Sequence, residues 1–201
     1  MAQPIDFQGA SLWKHFLDRT AQQELVADLR DVAEAAPFRS YETPGGKRMS
    51  VRMTGAGGYA WMSDRSGYAY RATQPDGMAW PEIPARVLAI WDHVTDVGRS
   101  PDSCLVNFYG DGAKMGLHQD RDERDTRWPV VSISLGDEAL FRVGGKTRRD
   151  PTKSVWLASG DVVVLHGHSR LAFHGIDRIK FGSSRLLDRG GRINITLRVA
   201  S

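Results

Sequence analysis

The sequence predicts a mainly β fold with flanking helices (α+β), built around a double-stranded β-helix, an arrangement also called a jelly roll. Between residues 103 and 199 the chain is a succession of short strand-like segments with no helical pattern between them. Turn signals such as Gly144-Gly145 and Ser159-Gly160-Asp161 separate these segments. A length of 201 residues suits one well-filled core. We therefore expect a single domain over residues 1–201, with the jelly-roll core over about 103–199.

Two helices are expected before this core. Thr20 and Gln23 have the spacing of a capping box, and apolar residues then recur at helical intervals, which predicts a helix near 21–35. A second helix is expected to begin at Pro84 and to stop at Gly98. The core strands are expected near residues 104–109, 114–119, 130–135, 139–143, 154–158, 161–165, 171–175 and 192–199.

The segment over about 41–80 combines hairpin signals with aromatic residues. Apolar and polar residues alternate from Arg48 to Met53, which predicts a strand with one apolar and one basic face. Five aromatic residues fall within 22 positions: Tyr59, Trp61, Tyr68, Tyr70 and Trp80. Aromatic rings interleaved with arginines suit base stacking combined with phosphate contact. The alternative is that the rings pack in the core, which we expect for about half of them.

Composition narrows the class of protein. The formal net charge is +3, but residues 146–201 carry eleven basic residues against four acidic ones, as expected for a polyanion partner; a merely solvated surface is the alternative. No apolar run reaches membrane-spanning length, and the N-terminus lacks the pattern of a signal peptide. Cys104 is the only cysteine and is expected to be a packed core thiol. A reducing compartment fits this single cysteine, so the cytoplasm is the expected location. A monomer is expected, although the sequence does not determine the oligomeric state.

His118 and Asp120 form a candidate metal-ligand pair. On an extended segment, residues i and i+2 project to the same side, so an imidazole and a carboxylate would lie next to each other. His174, from a later strand, would complete a two-histidine, one-carboxylate set, which covers one face of an octahedral metal as in non-haem Fe(II) oxygenases. The terminal segment Arg192-Ile-Asn194-Ile-Thr196-Leu-Arg198 places four polar side chains on one face of a strand.

These motifs, taken in order, resemble the AlkB family, and in particular its bacterial DNA-repair branch. The resemblance covers roughly residues 20–199 and rests on Thr43-Pro-Gly-Gly46, Asn107-Phe-Tyr109, His118-Gln-Asp120-Arg-Asp122, Arg170-Leu-Ala-Phe-His174-Gly and Arg192-x-Asn-x-Thr-x-Arg198. It implies an Fe(II)- and 2-oxoglutarate-dependent dioxygenase that demethylates bases of the 1-methyladenine and 3-methylcytosine type in DNA or RNA. The implied reaction consumes O2 and releases formaldehyde, succinate and CO2.

The resemblance also implies roles for individual residues. His118, Asp120 and His174 would be the catalytic iron ligands. Asn107, Tyr109, Arg192, Asn194 and Arg198 would hold 2-oxoglutarate, for which a guanidinium offers a two-pronged match to each carboxylate. Trp61, Tyr68 and Tyr70 would belong to a nucleotide-recognition lid over about 41–80, with Asp122 and Arg148 also at the substrate. Single-stranded DNA is the favoured partner, because a base must leave its stack to reach the iron.

Several alternatives remain open from the sequence. The enzyme could instead be a 2-oxoglutarate-dependent hydroxylase of a small molecule or a protein, or the chain could be a binding module with a structural metal. Asp122 could compete with Asp120 as a ligand, and Arg148 could be a solvated turn residue. His166 and His168 imitate a metal pair, but we expect them at the rim or surface. The residues do not decide which arginine binds which carboxylate of 2-oxoglutarate.

Overall fold

The computed structural model describes residues 3–201 and confirms a mainly β fold with flanking helices. The elements of this part are β1 (Ile5–Phe7), β2 (Ala10–Trp13), α1 (Arg19–Ala35), β3 (Arg39–Glu42), β4 (Arg48–Gly57), β5 (Ala60–Asp64), β6 (Gly67–Arg71), α2 (Ala85–Val94), β7 (Ser103–Tyr109), β8 (Met115–His118), β9 (Val130–Gly136), β10 (Glu138–Val143), β11 (Lys153–Leu157), β12 (Val162–Leu165), a 3-10 turn (Gly167–Ser169), β13 (His174–Lys180) and β14 (Arg192–Arg198). Residues 1 and 2 of the expected domain lie outside the described range.

Two antiparallel sheets form the body of the molecule. The larger sheet has the order β1-β2-β12-β9-β14-β7-β4-β3, and the smaller one has the order β11-β10-β13-β8. Their inner faces share one apolar cluster, in which Val51, Leu105 and Val163 of the larger sheet pack with Phe141 and Ile176 of the smaller one. The strands β5 and β6 form a separate hairpin. Two sheets packed in this way are the expected jelly roll.

The helices cover the outer face of the larger sheet. Leu25 and Leu29 of α1 and Trp91 of α2 share a second apolar cluster with Ile193 and Ile195 of β14. Because side chains alternate along a strand, this contact turns the intervening polar residues of β14 toward the space between the sheets. The same alternation on β7 directs Asn107 and Tyr109 inward. Because the helices pack on the outer face of the larger sheet, the polar side chains on its inner face point into the space between the two sheets.

The predicted helix ends differ from the observed ones. The N-cap of α1 is Asp18, whose Oδ1 accepts a hydrogen bond from the Ala21 amide at 2.9 Å, so the capping box predicted at Thr20 and Gln23 is wrong. Helix α2 ends at Val94 rather than at Gly98. Its C-cap is Thr95, whose hydroxyl and amide both bond to the Trp91 carbonyl oxygen.

One strand prediction is wrong, and other strands were not predicted. The strand expected at 171–175 begins only at His174 and continues to Lys180, because the preceding residues form a turn closed by the hydrogen bond from the Ala172 amide to the Ser169 carbonyl. Strands β1 and β2 were not expected from the first twenty residues, yet β2 pairs with β12. In the 41–80 segment, β3 and β4 extend the larger sheet through β7, and only β5 and β6 stand apart.

Two further observations concern Cys104 and the length of the helices. Cys104 is completely buried, and burial raises the pKa of its thiol to about 12. No helix in the described range is long and apolar enough to cross a membrane.

Candidate metal, co-substrate and base-binding site

The smaller sheet brings the predicted metal ligands together. His118 ends β8 and His174 begins β13, and the two residues are direct partners in the strand register. Asp120 follows His118 by two residues. The donor atoms of the three side chains all lie within 4.8 Å of one another. The distance from His118 Nε2 to Asp120 Oδ1 is 3.8 Å, and that from His174 Nε2 to Asp120 Oδ2 is 3.7 Å.

The backbone orients both imidazole rings. Nδ1 of His118 lies 3.0 Å from the Gly116 carbonyl oxygen, and Nδ1 of His174 lies 2.9 Å from the Ala172 carbonyl oxygen. A carbonyl oxygen only accepts, so each Nδ1 donates to it, which leaves Nε2 as the atom of each ring that can face a metal. Burial, with a smaller contribution from His118, lowers the pKa of His174 to about 4. His174 is therefore neutral at physiological pH, the form that binds a metal.

Asp120 supplies an oxygen that no protein group satisfies. Its Oδ1 faces Arg198 Nη2 at 3.0 Å, whereas its Oδ2 is buried and has no hydrogen-bond partner in the described structure. Burial alone would raise the pKa of Asp120, but the positive charge of Arg198, together with His174 and His118, holds it well below its usual range. Two imidazole nitrogens and one ionised carboxylate oxygen fit a divalent transition metal such as Fe(II).

A buried cationic pocket lies on β14 beside this cluster. Arg192 is 1% exposed and donates from Nη2 to Ser134 Oγ at 3.0 Å, while its Nε and Nη1 are buried without partners. Its guanidinium carbon lies 5.1 Å from the centre of the Tyr109 ring. Asn107 Oδ1 is likewise buried and unpartnered. Burial lowers the pKa of Arg192, and Tyr109 partly offsets this effect. Unpartnered donors on a buried cation fit a carboxylate ligand.

The other polar residues of β14 differ from Arg192 in their partners. Arg198 faces two carboxylates, Asp120 at 3.0 Å and Glu123 at 3.1 Å, although its Nε and Nη1 make no hydrogen bond in the described structure. Asn194 donates from Nδ2 to Ser132 Oγ at 2.7 Å and accepts at Oδ1 from the Thr196 hydroxyl at 3.1 Å. The amide of Asn194 is thus engaged by Ser132 of β9 and by Thr196 of its own strand.

The β5–β6 hairpin forms the outer wall of the site. The rings of Trp61 and Tyr68 are stacked, with centres 5.2 Å apart and planes inclined by 22°. The Trp61 indole N–H donates to Asp122 Oδ2 at 2.9 Å, and the Tyr70 hydroxyl donates to Glu123 Oε1 at 2.8 Å. Burial raises the pKa of Tyr70, which stays protonated. These residues line a cavity of about 870 Å³ that also contains the three candidate ligands and Arg192.

Arg148 lines the same cavity. Its guanidinium carbon is 5.0 Å from the centre of the ring of Phe173, the residue that precedes His174 in sequence. Gln119 fastens this region by donating to the Leu171 and Lys146 carbonyl oxygens at 2.7 and 3.3 Å. Four more basic residues line the cavity and were not singled out from the sequence: Lys47, Arg48, Lys114 and Arg121. In the sequence, Lys47 and Arg48 follow the turn glycine Gly46, and Lys114 and Arg121 flank the His118–Asp120 motif. These positions were the available signal for a basic rim.

Other candidates lie away from this cavity. His166 and His168 are exposed, and His166 Nε2 lies 2.9 Å from Ser11 Oγ. Within residues 3–201, the triad of His118, Asp120 and His174 is the only group found with converging metal-donor atoms. Trp80 is buried and donates to the Arg71 carbonyl oxygen at 2.9 Å, which makes it one of the aromatic residues that belong to the core.

Two buried charged residues were missed by sequence reasoning. Glu123 and Arg170 pair at 3.1 Å with side chains that are 1% and 4% exposed. Glu123 lies in the charged run Asp120-Arg-Asp-Glu-Arg124, which has the composition of a solvated loop. Asp120 and Glu123 of this run are both buried, and nothing in the run itself distinguishes Glu123 from the exposed Asp122.

Comparison with known proteins gives consistent similarities. The profile of the 2OG-Fe(II) oxygenase superfamily matches residues 9–198. An alpha-ketoglutarate-dependent dioxygenase AlkB homolog of Caulobacter vibrioides (strain NA1000 / CB15N) is 55% identical over 193 residues, covering 96% of this chain and 88% of the relative. The alpha-ketoglutarate-dependent dioxygenase AlkB of Escherichia coli (strain K12) is 43% identical over 198 residues, covering 96% and 90%. The solved structure of OsALKBH1 superposes with a TM-score of 0.79 at 34% identity, covering 94% of this chain and 97% of that one.

Proposed function

This chain belongs to the AlkB family of the 2OG-Fe(II) oxygenase superfamily, and on that premise we propose that it demethylates N-alkylated bases of the 1-methyladenine and 3-methylcytosine type. It is an Fe(II)- and 2-oxoglutarate-dependent dioxygenase that acts on nucleic acid. The observation that carries the proposal is the single cavity shared by the His–Asp–His cluster, the unpartnered Arg192 and the stacked aromatic pair. Metal, dicarboxylate and flat base would then meet in one enclosed space.

His118, Asp120 and His174 would hold the Fe(II) ion through their Nε2 atoms and the Oδ2 oxygen of Asp120. With 2-oxoglutarate and O2, the bound iron supplies an oxidant that hydroxylates the methyl group, with release of succinate, CO2 and finally formaldehyde. The carbonyl oxygens of Gly116 and Ala172 hold the two imidazole rings in orientation by accepting from their Nδ1 atoms. Arg198 holds the second oxygen of Asp120, which limits rotation of that carboxylate.

Arg192 would bind the carboxylate of 2-oxoglutarate that lies away from the metal. Its Nε and Nη1 are without partners and no carboxylate of the described residues pairs with it, whereas Arg198 already forms ion pairs with Asp120 and Glu123. Tyr109 and Asn107 would line the same end of the co-substrate. Asn194 would act by holding β14 against β9, since its amide groups are already bonded there.

The β5–β6 hairpin of the lid would select a methylated base by the positive charge of that base. Methylation at N1 of adenine or N3 of cytosine leaves a formal cation on the ring. Trp61 and Tyr68 present aromatic faces, for which a cation–π contact is worth about 0.5–2 kcal/mol. Asp122, bonded to Trp61, supplies a negative charge at the same position. Neutral, undamaged bases lack this attraction, which gives a physical basis for discrimination.

The basic side chains at the cavity would bind the phosphate backbone. They are Lys47, Arg48, Lys114, Arg121 and Arg148. Single-stranded DNA is the favoured substrate, with RNA as a second one, because extrusion of a base from a duplex costs stacking and pairing energy. The protein would act as a monomeric single-domain enzyme in the reducing cytoplasm, with β5–β6 as the nucleotide-recognition lid. A hydroxylase of small molecules or proteins would leave this basic rim and the aromatic lid without a role.

The direct test is mass spectrometry of a single-stranded DNA oligomer that carries one 1-methyladenine. The oligomer is incubated with the protein, Fe(II), 2-oxoglutarate and O2, and matched reactions omit the iron or the 2-oxoglutarate. We expect loss of the methyl group only in the complete reaction. A folded, iron-loaded protein that converts 2-oxoglutarate to succinate but leaves the oligomer unchanged would refute this substrate and favour the hydroxylase alternative.

A further inference from the structure

Four buried charged residues of alternating sign form a chain behind the candidate metal cluster. Asp120 faces Arg198 at 3.0 Å, Arg198 faces Glu123 Oε1 at 3.1 Å, and Glu123 Oε2 accepts from Arg170 at 3.1 Å. Their side chains are between 1% and 8% exposed. Glu123 and Arg170 contact neither the proposed metal nor the proposed 2-oxoglutarate position, so the reaction as described above leaves them without a function.

Neighbouring main-chain groups hold this chain of charges in place. Arg170 donates from Nη1 to the Asp120 carbonyl oxygen at 2.6 Å and from Nε to the Trp128 carbonyl oxygen at 2.5 Å. Glu123 Oε1 also accepts the Tyr70 hydroxyl at 2.8 Å. Both oxygens of Glu123 therefore have donors, and the carboxylate is locked between two guanidinium groups. This arrangement fixes the position of the Glu123 carboxylate, which compensates the positive charge of Arg198.

The position of Glu123 matters because Arg198 is shared. A cation beside a metal-binding carboxylate competes with the metal for its negative charge, and the competition is strong where water is excluded. Glu123 supplies a second carboxylate on the Nε side of Arg198, away from the donor oxygen of Asp120. The four side chains together carry no net charge. Without the charge of Glu123, two arginines would face only Asp120, and the chain would carry one net positive charge beside the metal.

We propose that Glu123 is a positioning residue that holds and neutralises Arg198, so that Asp120 keeps its charge for the metal. This inference rests on the proposed metal ligands and goes beyond them, since it assigns the metal affinity of the site partly to a residue that does not touch the ion. Removal of the Glu123 charge should weaken binding of a divalent cation. It should also make the site more attractive to an anion.

The test uses Mn(II) as a redox-inert probe and follows its free concentration by electron paramagnetic resonance during titration of the full-length apoprotein. We expect Glu123→Gln to weaken Mn(II) binding about tenfold or more, the usual scale for a residue behind the ligands. The control Asp125→Asn removes the same charge from a partly exposed acid two residues away, which pairs with Arg127, and should change the affinity less than about twofold. Asp120→Asn should abolish binding.

A second readout separates charge from structural damage. At saturating Mn(II), calorimetry should show that 2-oxoglutarate binds Glu123→Gln at least as tightly as it binds the wild type, because the surplus charge of Arg198 attracts a dicarboxylate. Damage to the site would weaken both ligands. If Glu123→Gln does not fold, the double variant Glu123→Gln/Arg170→Gln removes the buried charges as a pair. It still takes the second carboxylate from Arg198 and is expected to change both affinities in the same directions, but by less, because the net charge is kept.

The two variants test the role of Glu123 and the metal site separately. Wild-type Mn(II) affinity in Glu123→Gln, or weakened binding of both ligands, would overturn the role of Glu123 and leave the metal site intact. Undiminished Mn(II) affinity in Asp120→Asn would instead overturn the metal site on which the inference depends.

Discussion

Substitution of Arg192 by methionine should weaken the binding of 2-oxoglutarate without lowering the stability of the unliganded protein. The side chain is 1% exposed, and two of its donor atoms, Nε and Nη1, have no partner in the described structure. If these atoms bind a carboxylate of 2-oxoglutarate, two charge-assisted hydrogen bonds are lost in Arg192→Met. Such bonds contribute about 1.5–3 kcal/mol each. Since 1.4 kcal/mol is a factor of ten, the Kd for 2-oxoglutarate should rise by at least roughly a hundredfold.

The same substitution should not destabilise the unliganded protein. A buried cation with unpartnered donors opposes folding, as the lowered pKa of Arg192 indicates, because burial disfavours its charged form. Methionine has a similar length and no charge, and it loses the hydrogen bond to Ser134 and the cation–π contact with Tyr109. We therefore expect the Tm of unliganded Arg192→Met to be no lower than that of the wild type.

The assays are calorimetric titration of the Mn(II)-loaded protein with 2-oxoglutarate and thermal unfolding of the unliganded protein. The matched control is Arg189→Met, which changes an exposed arginine in the loop before β14 and should leave both quantities unaltered. An unchanged Kd in Arg192→Met would refute the assignment of this pocket. A large fall in Tm would refute the argument that the unpaired guanidinium is kept for a ligand.

Three further substitutions or reagents test other parts of the molecule. His118→Ala should abolish iron-dependent turnover, measured as succinate release, because one of three proposed ligands is lost; full activity would exclude the assignment. Arg148→Ala should weaken oligonucleotide binding by about 1–3 kcal/mol in fluorescence anisotropy, while 2-oxoglutarate turnover without substrate stays near normal. Cys104 should resist iodoacetamide at pH 8 until the protein is unfolded, since burial raises its pKa to about 12; rapid labelling of the native protein would contradict this.

The parts of the site that could be predicted from sequence are those in which a local period fixes the direction of a side chain. His118 and Asp120 project together because they are two residues apart on an extended segment. Arg192 and Arg198 share one face of β14 because the intervening Ile193, Ile195 and Leu197 pack on the helices. In both cases the pattern of a few consecutive residues is sufficient.

Contacts between distant segments could not be predicted in this way. The pairing of His174 with His118 depends on the register of β13 against β8, 56 residues apart in sequence. Glu123 is recognisable as a buried acid only once Arg170 and Arg198 are placed around it. The order of the motifs and their resemblance to a family supplied the pairing of the histidines, but not the buried charges behind them.

Short elements with competing local signals account for the errors. Strands β1 and β2 have three and four residues and acquire their partners only from the sheet. At the start of α1, Asp18 and Thr20 are both good caps, and the bond from the Ala21 amide to Asp18 decides between them. The turn before His174 is stabilised by the hydroxyl of Ser169, which bonds to the Gly9 carbonyl oxygen of a distant segment.

The most direct test of the whole account is the stoichiometry of the reaction on a methylated strand. Formaldehyde, succinate and lost methyl groups are counted together for single-stranded DNA with one 1-methyladenine, and again for the same strand without the methyl group. The account predicts equal amounts of all three products on the methylated strand, and only slow succinate release without formaldehyde on the unmethylated one. Methyl loss without succinate, or succinate release that does not respond to the methylated base, would contradict it.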